Sequence, residues 1–176
     1  TNFTSECSLS IMAEFLKSNV NTIKEYISYL EKAFLFYTVP FFDYSVKTQL
    51  RRNRKIYIND VGLRSATAFQ LSKDHGRYLE NIIFNQLRRK NTDIYYWKSS
   101  TQKEIDFIVK NKGQLIGVNV CYNDDLPERE FVAFYEAKKE NIPLDKMIIV
   151  TKNRFEIVKD KGCEIQMIPA WVYLLL

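Results

Sequence analysis

One stretch constrains this chain more than any other. Glu104-Ile105-Asp106-Phe107-Ile108-Val109 leads into a polar turn, Lys110-Asn111-Lys112-Gly113, and returns through Gln114-Leu115-Ile116-Gly117-Val118-Asn119-Val120-Cys121-Tyr122. Two apolar, β-branched runs around a short glycine-bearing turn predict a β-hairpin, with a loop of about three to five residues. Strand side chains alternate, so Glu104 and Asp106 share one face while isoleucine, phenylalanine and valine take the other. A carboxylate within an apolar strand costs free energy unless it is paired or meets a cation. A partner for Asp106 is therefore expected nearby.

The 176 residues, 46% hydrophobic and 27% charged, are enough for one or two domains with a sizeable core. No apolar run approaches the roughly 20 residues a membrane helix needs, and no signal peptide is visible. Cys7, Cys121 and Cys163 are odd in number and scattered, which implies neither a disulfide framework nor a zinc site. A reducing cytoplasm is the expected compartment. The net charge of +5 and pI near 9.0 suit a polyanion such as nucleic acid, and equally an ordinary solubility charge.

Before the hairpin, Leu9, Ile11, Met12, Phe15 and Leu16 give helical spacing over positions 8–17. A second helix is expected over 22–32, with Asn21 as its N-cap and Ile23, Tyr26, Ile27 and Leu30 on one face. An aromatic, β-rich run over 33–43 is broken by Pro40, and a basic turn follows at 47–55. A strand from Lys55 to Asn59 closes the region. Helix, helix, strand, basic turn and strand is the order of a winged helix. On that reading Arg51, Arg52, Arg54 and Lys55 contact DNA phosphates in a salt-dependent way. The plainer reading is that the helices pack on a neighbouring domain and the basic loop is a solvated wing, because the second helix is not strongly basic.

Further on, a short helix is expected at 65–70 and a loop at 71–76, with the single histidine, His75, in a structural position. An amphipathic helix over 77–89 carries Glu80-Asn81 and ends in Arg88-Arg89-Lys90, a basic end that suits the helix dipole. A strand at 94–98 precedes the hairpin. A helix at 127–140, a buried strand at 144–151, a small hairpin or loop at 153–162, a strand at 164–168 and a last short helix opened by Pro169 complete the pattern. This order specifies an α/β sandwich with a mixed central sheet.

The hairpin resembles the core of the PD-(D/E)XK nuclease superfamily, in which an aspartate interrupts one strand and the next carries an acid, a spacer and a lysine. More closely, the chain resembles the domain of unknown function that follows the ATPase module in a family of prokaryotic AAA+ ATPases. Gly76-Arg77-Tyr78-Leu79-Glu80-Asn81, Tyr96-Trp97, Glu104-Ile105-Asp106-Phe107 and Ile168-Pro169 stand in that family's order, and Lys55-Ile56-Tyr57-Ile58-Asn59-Asp60-Val61-Gly62-Leu63 looks like its Lys-Ile-Tyr-Phe-x-Asp-x-Gly-Leu run. The resemblance implies a winged-helix-like region over 1–64 and a restriction-endonuclease-like domain over 65–176. It also implies that the chain is the C-terminal fragment of an ATPase whose nucleotide-binding module precedes it. No G-x-x-x-x-G-K-[ST] loop occurs here.

The same resemblance places the site at Glu80, Asp106, Asn119 and Cys121. An active nuclease of this kind holds magnesium on carboxylates, activates a water and sets a lysine near the phosphate. Glu80 and Asp106 would supply two metal ligands. The expected glutamate and lysine are instead Asn119, a neutral and weaker ligand, and Cys121, a soft one. Lys98 on the neighbouring strand, or Lys103, Lys110 and Lys112 beside the hairpin, would be the sources of a migrated lysine, and Glu104 of a replacement acid. The expectation is a nuclease-like module that has lost catalysis, binds no cofactor and contacts DNA or a protein. The alternative is a magnesium-dependent DNA endonuclease with a rearranged site. A reactive Cys121 lacks an identifiable base.

Overall fold

A computed structural model describes residues 3–62, 75–91, 93–123 and 128–176. The chain divides into two compact units, Thr1–Lys73 and Asp74–Leu176. The expected helix at 65–70 lies outside the described residues.

The first unit runs β1 (Glu6–Cys7), α1 (Leu9–Phe15), α2 (Val20–Lys32), β2 (Phe36–Val39), α3 (Val46–Arg51) and β3 (Arg54–Ile58). The strands form an antiparallel sheet in the order β1-β3-β2. Each helix start is capped by a side-chain oxygen that satisfies an otherwise orphaned N–H. Ser8 accepts from Ile11 N, Asn19 from Thr22 N at 2.9 Å, and Ser45 from Thr48 N. Asn19, not Asn21, therefore caps α2, because the helix begins earlier than its apolar spacing suggests. Positions 47–55, expected as a basic turn, instead form α3 and the start of β3. Glu31 on α2 accepts from both the N–H and the hydroxyl of Thr38, each at 2.8 Å, and so ties α2 to β2. Ala13, Ile23, Val39, Phe42 and Tyr57 are buried.

The second unit contains α4 (His75–Lys90), β4 (Asp93–Lys98), β5 (Glu104–Asn111), β6 (Gln114–Cys121), α5 (Arg129–Lys139), β7 (Lys146–Thr151), β8 (Glu156–Asp160), β9 (Cys163–Pro169) and α6 (Ala170–Tyr173). Its six strands lie in the order β4-β5-β6-β7-β9-β8. The β4-β5-β6 meander is antiparallel, β6-β7 and β7-β9 are parallel, and β8-β9 is an antiparallel hairpin at the edge. The parallel pair β6-β7 needs a crossover, which α5 supplies. The β5–β6 loop is shorter than expected. Asn111 pairs with Gln114, leaving a two-residue turn at Lys112-Gly113 with φ of 49° and 82°. Two left-handed positions define the turn that matches strand twist, and glycine takes the second at no steric cost. Phe84, Phe107, Val118, Phe134, Ile149 and Ile165 fill the core around the sheet. Among the described residues no helix is long and apolar enough to cross a membrane.

Candidate functional site

A polar cavity of about 510 Å³ opens in the second unit. Its lining includes Glu80 of α4, Lys98 of β4, Glu104 and Asp106 of β5, and Arg129 and Glu130 of α5. The sheet ladder explains why it opens there. Backbone pairing between β5 and β6 runs from Asn111–Gln114 back to Phe107–Val118. One step further, side chains take over. Asp106 N–H donates to Asn119 Oδ1 at 3.1 Å, and Val120 N–H donates to Asp106 Oδ2 at 2.9 Å. One partner of Asp106 is thus a backbone N–H on the opposite strand.

Asn119 is 1% exposed. Its amide donates to the Glu130 backbone carbonyl at 3.2 Å and to Glu130 Oε2 at 3.3 Å. One side chain therefore joins β5, β6 and the first turn of α5. Its oxygen accepts from Asp106 N–H, so the residue expected as a weak metal ligand also braces two strands and a helix.

Glu130 was not anticipated from the sequence. It lies on the helix after the hairpin, where its only trace is an acid in a helical first turn, a common surface feature. Burial pushes its carboxyl above the ordinary carboxylate range. The Arg129 guanidinium, with Nε 3.1 Å from Oε1, and the Asn119 amide act against that rise, whereas the Glu80 charge adds to it. Glu80 and Glu130 therefore feel one another, as carboxylates facing a common space do. Lys98 Nζ stands 3.8 Å from Glu104 Oε2, directly across the β4–β5 register. Cys121 is buried, and burial raises its thiol pKa further, which disfavours the thiolate a nucleophile needs.

Four carboxylates thus line one cavity, each with charged or hydrogen-bonding neighbours. Among the described residues, no three His, Cys, Asp or Glu side chains converge into a group that could hold a metal ion. Asp106 already spends one oxygen on Val120, and Glu130 is neighboured by a guanidinium.

The basic residues of the first unit differ in their surroundings. Arg51 is exposed at the end of α3. Arg52 stands over the Phe41 ring at 4.9 Å, and Arg54 donates to Thr38 Oγ1 at 3.3 Å. Lys55 is 2% exposed, so its assignment as a phosphate contact is corrected. The alternation of β3 turns Lys55 and Tyr57 inward together, while Arg54 points outward.

The family model of a domain of unknown function, DUF4143, matches residues 75–173, more than half of the chain. The chain belongs to the DUF4143 family. A second model, also of a domain of unknown function, DUF8612, matches residues 1–74. Two curated relatives extend the DUF4143 comparison across nearly the whole chain. An uncharacterized protein of Haemophilus influenzae is 30% identical over 169 residues, 96% of this chain and 41% of its own length. An uncharacterized protein of Methanocaldococcus jannaschii is 32% identical over 190 residues, 98% of this chain and 42% of its own length. The chain thus spans about two-fifths of the length of these relatives. No solved structure matches. The DUF4143 match begins at His75, where α4 opens, and so takes in the whole lining of the cavity.

Proposed function

We propose that this chain is a nuclease-like module of a longer ATPase, one that binds nucleic acid or protein without cutting. The single observation that carries the reading is the Asn119 brace. The strand position that holds an acid in an active nuclease here holds an amide, and both ends of that amide are used internally. The order α4-β4-β5-β6-α5-β7, with β6 and β7 parallel, agrees with the restriction-endonuclease-like core expected from the hairpin. The order β1-α1-α2-β2-β3, with β3 between the other two strands, agrees with a winged-helix-like first unit in which α3 is inserted. The ATPase assignment rests on the sequence resemblance together with the greater length of the relatives.

The test compares cleavage of DNA, with magnesium and with manganese, by the wild type and by Asp106→Ala. Neither is expected to cut. Cleavage by the wild type that disappears in the variant would overturn the reading. Binding is tested through Arg51, Arg52 and Arg54, the exposed members of the basic set. If they contact phosphates, removing all three lowers the dependence of log affinity on log salt by up to about 0.9 for each phosphate no longer neutralised.

One observation favours the second reading, a metal-dependent endonuclease with a rearranged site. Glu130 and Arg129 bring a carboxylate and a cation to the cavity from α5, the two chemical types that positions 119 and 121 lack. On that reading Glu130→Gln, like Asp106→Ala, abolishes cleavage.

A further inference from the structure

Within its own unit the apolar stripe of α2 is largely uncovered. Ile23 is buried, but Tyr26, Tyr29 and Leu30 are exposed, at the i, i+3, i+4 spacing of one helix face. The neighbouring helix α1, packed on α2, repeats the pattern. Ile11 and Phe15, at i and i+4, are 67% and 84% exposed. Leu16, Phe34 and Leu35, at the C-terminal ends of the two helices, are exposed as well. Single exposed apolar residues are ordinary, but stripes on two packed helices mark a surface that something covers. The exposed set is rich in tyrosine and phenylalanine, residues enriched at interfaces, where a ring buries and a hydroxyl stays wet.

The length of the relatives indicates what covers it. Proteins that match 96% and 98% of this chain carry more than half of their own length outside the match. A covalently connected segment acts at high effective concentration, so an open apolar face need not stay open. We propose that the α1–α2 face is the docking surface for a further segment of the same polypeptide, one that lays an apolar helical face along Ile11, Phe15, Tyr26 and Tyr29. The docking does not depend on the nucleic-acid reading, because Arg51 and Arg54 lie on other elements.

The test begins with the mass of the native polypeptide, followed by hydroxyl-radical footprinting of that polypeptide and of the 176-residue chain. The expected result is a native polypeptide longer than 176 residues. In it, labelling of Phe15, Tyr26 and Tyr29 falls severalfold relative to the short chain. The double variant Phe15→Ser with Tyr29→Ser then leaves the melting temperature of the short chain unchanged and lowers that of the native polypeptide. A native polypeptide no longer than this chain would overturn the proposal, as would equal labelling of the two. So would protection already present in the short chain, whether from a dimer seen by sedimentation or from its own residues 74–176. A merely structural role for these side chains would destabilise the short chain too, and would also count against it.

Discussion

Replacing Asn119 with alanine removes three hydrogen bonds at a position that is 1% exposed. It leaves the Asp106 N–H without its 3.1 Å acceptor and takes the amide donor from the Glu130 backbone carbonyl and carboxylate. A net hydrogen bond is worth on the order of 1 kcal/mol, and stranding a buried polar group costs on the order of 1–3 kcal/mol. The loss expected for Asn119→Ala is therefore about 3 kcal/mol. In a unit of residues 74–176 that is roughly 12–24 °C in melting temperature, at roughly 4–8 °C per kcal/mol. Urea unfolding gives the free energy directly, provided the slope is unchanged. Asn119→Asp makes the comparison sharper. It keeps an acceptor for Asp106 N–H but sets a carboxylate against Glu130, so its cost grows as pH rises and both acids ionise. A loss under about 0.5 kcal/mol for Asn119→Ala, the range of ordinary surface changes, would refute the brace and return Asn119 to the role of an open ligand.

Other consequences follow from neighbouring residues. Glu130 has a folded-state pKa above its unfolded value, so the stability it contributes is present below the unfolded pKa and is lost as pH rises through the folded one. Glu130→Gln should accordingly gain on the wild type from pH 4 to pH 7 in urea midpoints, and a difference that shrinks with pH would contradict the burial argument. Gly117→Ala places a Cβ 2.9 Å from both Leu144 Cδ1 and Phe134 Cε1, a clash worth about 1–3 kcal/mol, read by thermal unfolding. Tyr135, with its phenol pushed up to about 12 by burial and by Asp160, donates to Asp160 Oδ2 at 2.8 Å. Tyr135→Phe should cost about 1 kcal/mol in urea unfolding at neutral pH, and no measurable change would show that the bond adds nothing net.

Much of the architecture was legible because periodicity reports burial. The β5–β6 hairpin, the crossover helix and the buried β7 were each visible as runs of the right period. Local chemistry was less legible. The extent of β5 and β6 hid a two-residue turn, since Lys110 and Asn111 look like turn residues yet continue the strand. Ser45 and Val46 do not announce a helix, so α3 was read as part of a basic turn. Lys55 was grouped with the arginines by charge, although its parity with Tyr57 placed it inward. Glu130 escaped because the site was sought on the hairpin strands and on the helix that carries Glu80. No periodicity links an acid in the first turn of α5 to an amide on β6, and that pairing exists only once the chain has folded back.

The hydrogen-bonded network at the cavity wall joins Asp106, Val120 and Glu130 of the lining to Asn119 behind them, all within residues 106–130. Other elements add Glu80 and Lys98 to the lining around it. The chemistry of the cavity can therefore be rewritten by a few substitutions within one hairpin and one helical turn, while the framework around it stays as it is. On the nuclease-like reading proposed above, a protein built this way can exchange cutting for holding, or the reverse, without having to invent a new fold.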